Sequence, residues 1–102
     1  MEVKLDQHFL NNEEVLDQII EASEINDRDI IFEIGVGEGS LTRKILSKTP
    51  HKLISVEKDE SLKIDIKDDN FELIWGNGLE EVNYFQFDKL ISNIPYSITE
   101  PL

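Results

Sequence analysis

Gly35, Gly37 and Gly39 stand at alternate positions, a spacing that lets the backbone turn sharply and lets a ligand approach main-chain atoms that side chains would shield. Glu57 follows 22 residues after Gly35, the interval at which a carboxylate ending a second strand can accept the hydroxyl hydrogens of a ribose. A third group, Asn93-Ile94-Pro95-Tyr96, joins a side-chain acceptor, a flat aromatic face and a proline that fixes one backbone torsion and restricts Ile94 before it. Acceptors held at set angles beside an aromatic ring suit the exocyclic amino group of a planar base. Each group alone would equally make a tight turn, a solvated strand-end acid or a proline turn with a packed tyrosine. Together they point to a nucleoside ligand.

Such groups need a scaffold that brings strand ends to one place. The capping residues and first-turn acids Asn11-Asn12-Glu13-Glu14, followed by Val15/Leu16 and Ile19/Ile20 four residues apart, predict a helix from about Asn12 to Glu24. Ile30 to Ile34 is a short apolar run suited to a strand buried on both faces. After the glycine turn, Ser40 can cap a helix whose Leu41, Ile45 and Leu46 share a face until Pro50. Leu53 to Val56 is a second strand, Phe71 to Trp75 a third and Phe87 to Ile91 a fourth. Between Asp59 and Asp69, Leu62, Ile64 and Ile66 alternate as in a strand, yet a right-handed crossover between parallel strands favours a helix there. The expectation is an α/β, Rossmann-like fold with about four parallel strands and flanking helices, one domain over residues 1–102, and a crevice at the carboxyl ends of the strands.

Composition narrows the chemistry. The chain has 102 residues and a net charge of −12, the wrong sign for gripping phosphates unaided. It has no cysteine, which excludes disulfides and thiolate chemistry, and no metal site is expected. No apolar run approaches a membrane span, so an intracellular, cytoplasmic protein without a membrane partner is the default. The order G-x-G-x-G departs from the G-x-G-x-x-G of dinucleotide binders, because Ser40 takes the sixth position. That disfavours a dehydrogenase, and the absence of G-x-x-x-x-G-K-[ST] disfavours a nucleoside triphosphatase.

Five segments resemble, in order and spacing, the ribosomal RNA adenine N6,N6-dimethyltransferase family, its archaeal members most of all. They are Asp6-Gln7-His8-Phe9-Leu10, Glu33 to Thr42, Val56-Glu57-Lys58-Asp59, Gly76-Asn77-Gly78-Leu79 and Ser92 to Ile98. The resemblance implies S-adenosyl-L-methionine as cofactor and adenines of small-subunit rRNA, in a pre-ribosomal particle, as substrate. It implies that His8 and Leu10 contact the cofactor, that Gly35 and Gly37 approach its methionine and ribose portions with Glu33 nearby, and that Glu57 holds the ribose. Lys58 would border the cofactor's adenine, with Asn77 where the family usually has aspartate and Gly78 where it usually has a small apolar residue. Asn93 would touch the cofactor and orient the target adenine, the Ile94 and Pro95 carbonyls would accept from its amino group, and Tyr96 would stack on its ring.

The implied reaction needs no general base, since positioning and acceptor groups would favour the developing cation at N6. Family members continue beyond the last motif with further strands and a helical domain, so this chain is expected to be the N-terminal, cofactor-binding part. It is expected to be inactive alone and, being acidic, a poor RNA binder. The alternatives are a nucleoside-binding module without activity, or a large-subunit rRNA adenine methyltransferase of the macrolide-resistance type.

Overall fold

The computed structural model describes residues 2–4, 13–92 and 97–99. A parallel sheet forms its centre, in the order β4-β3-β2-β5, from β2 (Ile30–Ile34), β3 (Lys52–Glu57), β4 (Phe71–Trp75) and β5 (Lys89–Ser92). β1 (Glu2–Lys4) and β6 (Ser97–Thr99) pair antiparallel in a separate two-stranded sheet that the sequence did not suggest. The register is set by Phe32 against Ile54 and Leu90, and by Glu33 against Ser55 and Ile91.

Each strand of the sheet's middle is buried on both faces, which explains their unbroken apolar runs. Residues facing one side, Ile31, Leu53 and Ile91, pack with Leu16 and Ile20 of α1 (Glu13–Ser23) and with Leu41 and Ile45 of α2 (Ser40–Ser47). The four-residue spacing within each helix puts these side chains on one stripe. On the other side Phe32, Ile54 and Val56 are covered by Val82, Phe85 and Phe87, with the Phe32 ring centroid 5.3 Å from that of Phe87. That cover includes α3 (Gly78–Glu81) and a 3-10 turn (Val82–Tyr84), neither of which the sequence pattern suggested.

Three expectations need correction. No helix forms between Asp59 and Asp69. Asp59 Oδ1 accepts from the Ser61 amide at 3.1 Å and from the Ser61 hydroxyl at 2.6 Å, and the chain then runs on irregularly to β4. Leu62, Ile64 and Ile66 are half-buried while Lys63, Asp65 and Lys67 are exposed. Burial thus alternates with the period-two pattern, but the segment pairs with no neighbouring strand, so it is neither helix nor strand. Second, Ser40 is the first residue of α2 rather than its cap, a place taken by Gly39 without a side-chain hydrogen bond. The fourth strand also starts later than expected: the Asp88 carboxylate accepts from the Ile30 amide at 2.8 Å, and Phe87 turns into the core.

Candidate functional site

The glycine turn begins at the carboxyl end of β2, where the crevice is expected. Gly35, Gly37 and Gly39 have φ values of 88°, 57° and 87°, left-handed conformations that a Cβ would strain. The turn is joined to the sheet by the Gly35 amide donating to Val56 O at 2.8 Å. It is held still more firmly by Glu57. Oε1 of that carboxylate accepts from the amides of Val36 at 2.8 Å and Gly37 at 3.0 Å, while Oε2 accepts from Asp59 at 2.9 Å.

This arrangement decides which ligands the turn can take. A phosphate would need the amides of the glycine turn as donors, but Glu57 already consumes two of them and fills the place with negative charge. Burial pushes the Glu57 pKa up, yet the amides of Gly37, Asp59, Val36 and Lys58 outweigh it and hold the group below the usual carboxylate range. The turn is thus closed to phosphates and hospitable to hydroxyl donors and cations. Oε2 accepts from the Asp59 amide, and the lone pairs of a carboxylate oxygen leave it acceptor capacity toward a ligand hydroxyl.

Beneath the turn lies a second acid. Glu33 is fully buried, and its Oε1 accepts from the hydroxyls of Thr42 on α2 and Ser55 on β3, both at 2.7 Å. Its Oε2 has no hydrogen-bond partner. Burial pushes the Glu33 pKa up to about 7, with the nearby Glu57 adding to the rise and the two hydroxyls opposing it. Thr42 and Ser55 were not singled out from the sequence, though a serine inside the run Leu53 to Val56 is a polar intrusion that signals a buried partner.

The third strand end contributes Asn77, exposed, whose Oδ1 accepts from the Leu79 amide at 2.9 Å and so caps α3. The oxygen expected to face an adenine amino group thus has a structural duty as well. Gly78 is buried against Ile34: a Cβ there would come within 2.6 Å of Ile34 Cγ2, so only glycine fits without movement. Lys58 is exposed beside the carboxylate. The structure therefore gathers Glu33, Gly35, Gly37, Glu57, Lys58, Asn77 and Gly78 at one edge of the sheet, with Glu33 below its surface. His8, Leu10, Asn93, Ile94, Pro95 and Tyr96 lie outside the described residues. Among the described residues no cluster of metal-ligating side chains occurs, and no helix is long and apolar enough to cross a membrane.

Comparison with known proteins gives a consistent result. A family model described as ribosomal RNA adenine dimethylase matches residues 1–102. The probable ribosomal RNA small subunit methyltransferase A of Methanococcus maripaludis strain C6 is 37% identical over 105 residues, covering 97% of this chain and 40% of the relative. The protein of the same description from Methanosarcina acetivorans is 41% identical over 102 residues, covering 95% of this chain and 37% of its own length. The chain thus spans about 40% of the length of such relatives. Among solved structures, a dimethyladenosine transferase from Plasmodium falciparum superimposes with a TM-score of 0.72 at 33% identity, over 82% of this chain and 32% of that one. The 23S rRNA methyltransferase ErmE gives 0.55 at 27% identity, over 65% of this chain and 29% of its own.

Proposed function

Since the chain belongs to the ribosomal RNA adenine dimethylase family, we propose that it forms the cofactor-binding part of an enzyme that dimethylates N6 of adenines in small-subunit rRNA, with S-adenosyl-L-methionine as methyl donor. The observation that carries the ligand class is the capture of the Val36 and Gly37 amides by Glu57. It favours a nucleoside that carries positive charge and no phosphate. The cofactor supplies an electrophilic methyl group on a sulfonium; every other contribution comes from protein groups.

In this reading Glu57 Oε2 accepts from a ribose hydroxyl while Oε1 keeps the turn in shape, and Gly35 and Gly37 leave room for the amino-acid portion. Lys58, Asn77 and Gly78 border the base, and His8 and Leu10 close the site from the N-terminal leader. The target adenine is the task of Asn93, with the Ile94 and Pro95 carbonyls accepting from its amino group and Tyr96 stacking on its ring. As the amino nitrogen gains positive charge, these acceptors and the aromatic face stabilise it more than the ground state. The proton leaves to water, so no side-chain base is required. The relatives' descriptions as small-subunit methyltransferases support the small-subunit reading over the large-subunit one, and the 23S rRNA enzyme is the weaker of the two structural matches.

With a net charge of −12, this chain is not the main RNA-gripping surface, a task we place elsewhere in the enzyme. Calorimetric titration with S-adenosylhomocysteine tests the proposal. Saturable binding that Glu57→Ala abolishes is the expected result; equal binding by the variant, or none by the folded chain, would refute the cradle.

A further inference from the structure

Trp75 ends β4 directly in register with Glu57 on β3. Residues paired in a parallel ladder leave the sheet on the same face. Phe71, four residues earlier on β4, packs with the α1/α2 cluster, while Ile74 packs on the opposite side, so alternation puts Trp75 on the Phe71 face. Its situation differs sharply from that of its partner: Trp75 is 41% exposed and Glu57 only 7%. One residue further on, the Gly76 amide donates to Glu57 O at 3.0 Å, which ties this strand end to the acid.

The crevice therefore presents three features in order across adjacent strands: the glycine turn after β2, the carboxylate ending β3 and the indole ending β4. Each step is about 4.8 Å, the spacing of neighbouring strands. A ribose held at Glu57, with its amino-acid substituent toward the glycines, leaves its base on the β4 side. Trp75 belongs to neither apolar cluster of the core, and Asn77, two residues on, supplies a polar edge.

We propose that Trp75 is a binding residue for the purine of the ligand, its indole forming a wall on which the base stacks. The inference rests on the nucleoside reading of the crevice and adds to it the side chain that selects for a planar base. Aromatic stacking is sequence-tolerant toward bases and depends on the ring face, so phenylalanine should substitute and alanine should not.

Trp75 is the only tryptophan in the chain, which makes its emission a specific reporter. The experiment is a fluorescence titration of the whole chain with S-adenosylhomocysteine, run beside calorimetry. The expected result is a saturable change in emission with the same midpoint as the heat, reproduced by adenosine and not by homocysteine. Trp75→Ala should weaken binding about tenfold and Trp75→Phe should restore most of it, with the thermal unfolding midpoint unchanged in both. Saturable heat with unaltered emission and undiminished affinity in Trp75→Ala would overturn the role of the indole and leave the nucleoside reading standing. No saturable heat from the folded chain would overturn both.

Discussion

At the amino ends of the strands, polar groups answer one another; at the carboxyl ends, they are held in place but left with capacity to spare. Asp29 pairs with Lys89 Nζ at 2.8 Å and accepts from the Asn26 amide at 2.9 Å. Lys89 also donates to Glu24 O, and Asp88 exchanges two hydrogen bonds with the backbone of Ile30. The ties to Asp88 and Lys89 join the start of β5 to β2 and to the loop before it. The opposite edge has three left-handed glycines, a buried Glu33 oxygen without a partner and a half-exposed indole. One edge closes the sheet, and the other holds glycine-only backbone and acceptor oxygens with capacity to spare, where a ligand belongs.

Substitutions at the two edges should separate stability from binding. The largest effect belongs to Glu57→Ala, which strips the acceptor from the Val36 and Gly37 amides. Affinity for S-adenosylhomocysteine should fall at least about a hundredfold, with a stability loss of about 2–3 kcal/mol read by urea unfolding. An unaltered affinity would erase the distinction between the edges.

Glu33→Gln sharpens the comparison through pH. Burial raises the Glu33 pKa from 4.5 to about 7 in the folded chain, so the fold binds the proton more tightly than the unfolded chain does. The resulting stability is fully present below the unfolded value and fades as pH rises through about 7, on the order of 3 kcal/mol in all. Glu57 works in the opposite sense: its lowered pKa contributes stability above the unfolded value that is lost on acidification. The wild-type minus Glu33→Gln difference in unfolding free energy should therefore shrink between pH 5 and 8. A difference that grows with pH would mean that Glu33 is held as an anion.

Asp29→Ala should cost about 1–2 kcal/mol, because it removes the partner of Lys89 and the acceptor of the Asn26 amide. Ligand affinity should stay within twofold of wild type. A loss of affinity as large as that of Glu57→Ala would show that the amino edge is coupled to the site. The smallest effect is expected from Lys52→Ala, whose pairing with Glu72 at 2.8 Å is roughly half exposed. It should change stability by less than about 1 kcal/mol and leave binding alone.

The carboxyl edge was the more legible of the two in the sequence. Glycines at alternate positions and an acid 22 residues on are local signals, and the strand Ile30–Ile34 followed from an apolar run that a strand buried on both faces demands. What Glu57 does with its carboxylate was less legible, because the amide acceptance depends on the turn's backbone rather than on residue type. The isolation of Glu33 was invisible, since it arises from the register that sets Glu33 opposite Ser55 and from α2 delivering Thr42. The irregular passage from Asp59 to Asp69 is not legible locally, because the alternation of Leu62, Ile64 and Ile66 matches their half-burial while no neighbouring strand pairs with them. The ties of Asp29, Asp88 and Lys89 join positions about sixty residues apart, as in the 58-residue separation of Ile30 and Asp88, and no local pattern announces them.

The most direct test of the division between the edges is amide chemical-shift mapping of the chain during titration with S-adenosylhomocysteine. Saturable shifts are expected at Val36, Gly37, Lys58, Trp75, Gly76 and Asn77, with Asn26, Arg28, Ile30 and Lys89 unmoved. Shifts concentrated at that second group, or spread evenly over both, would contradict that division.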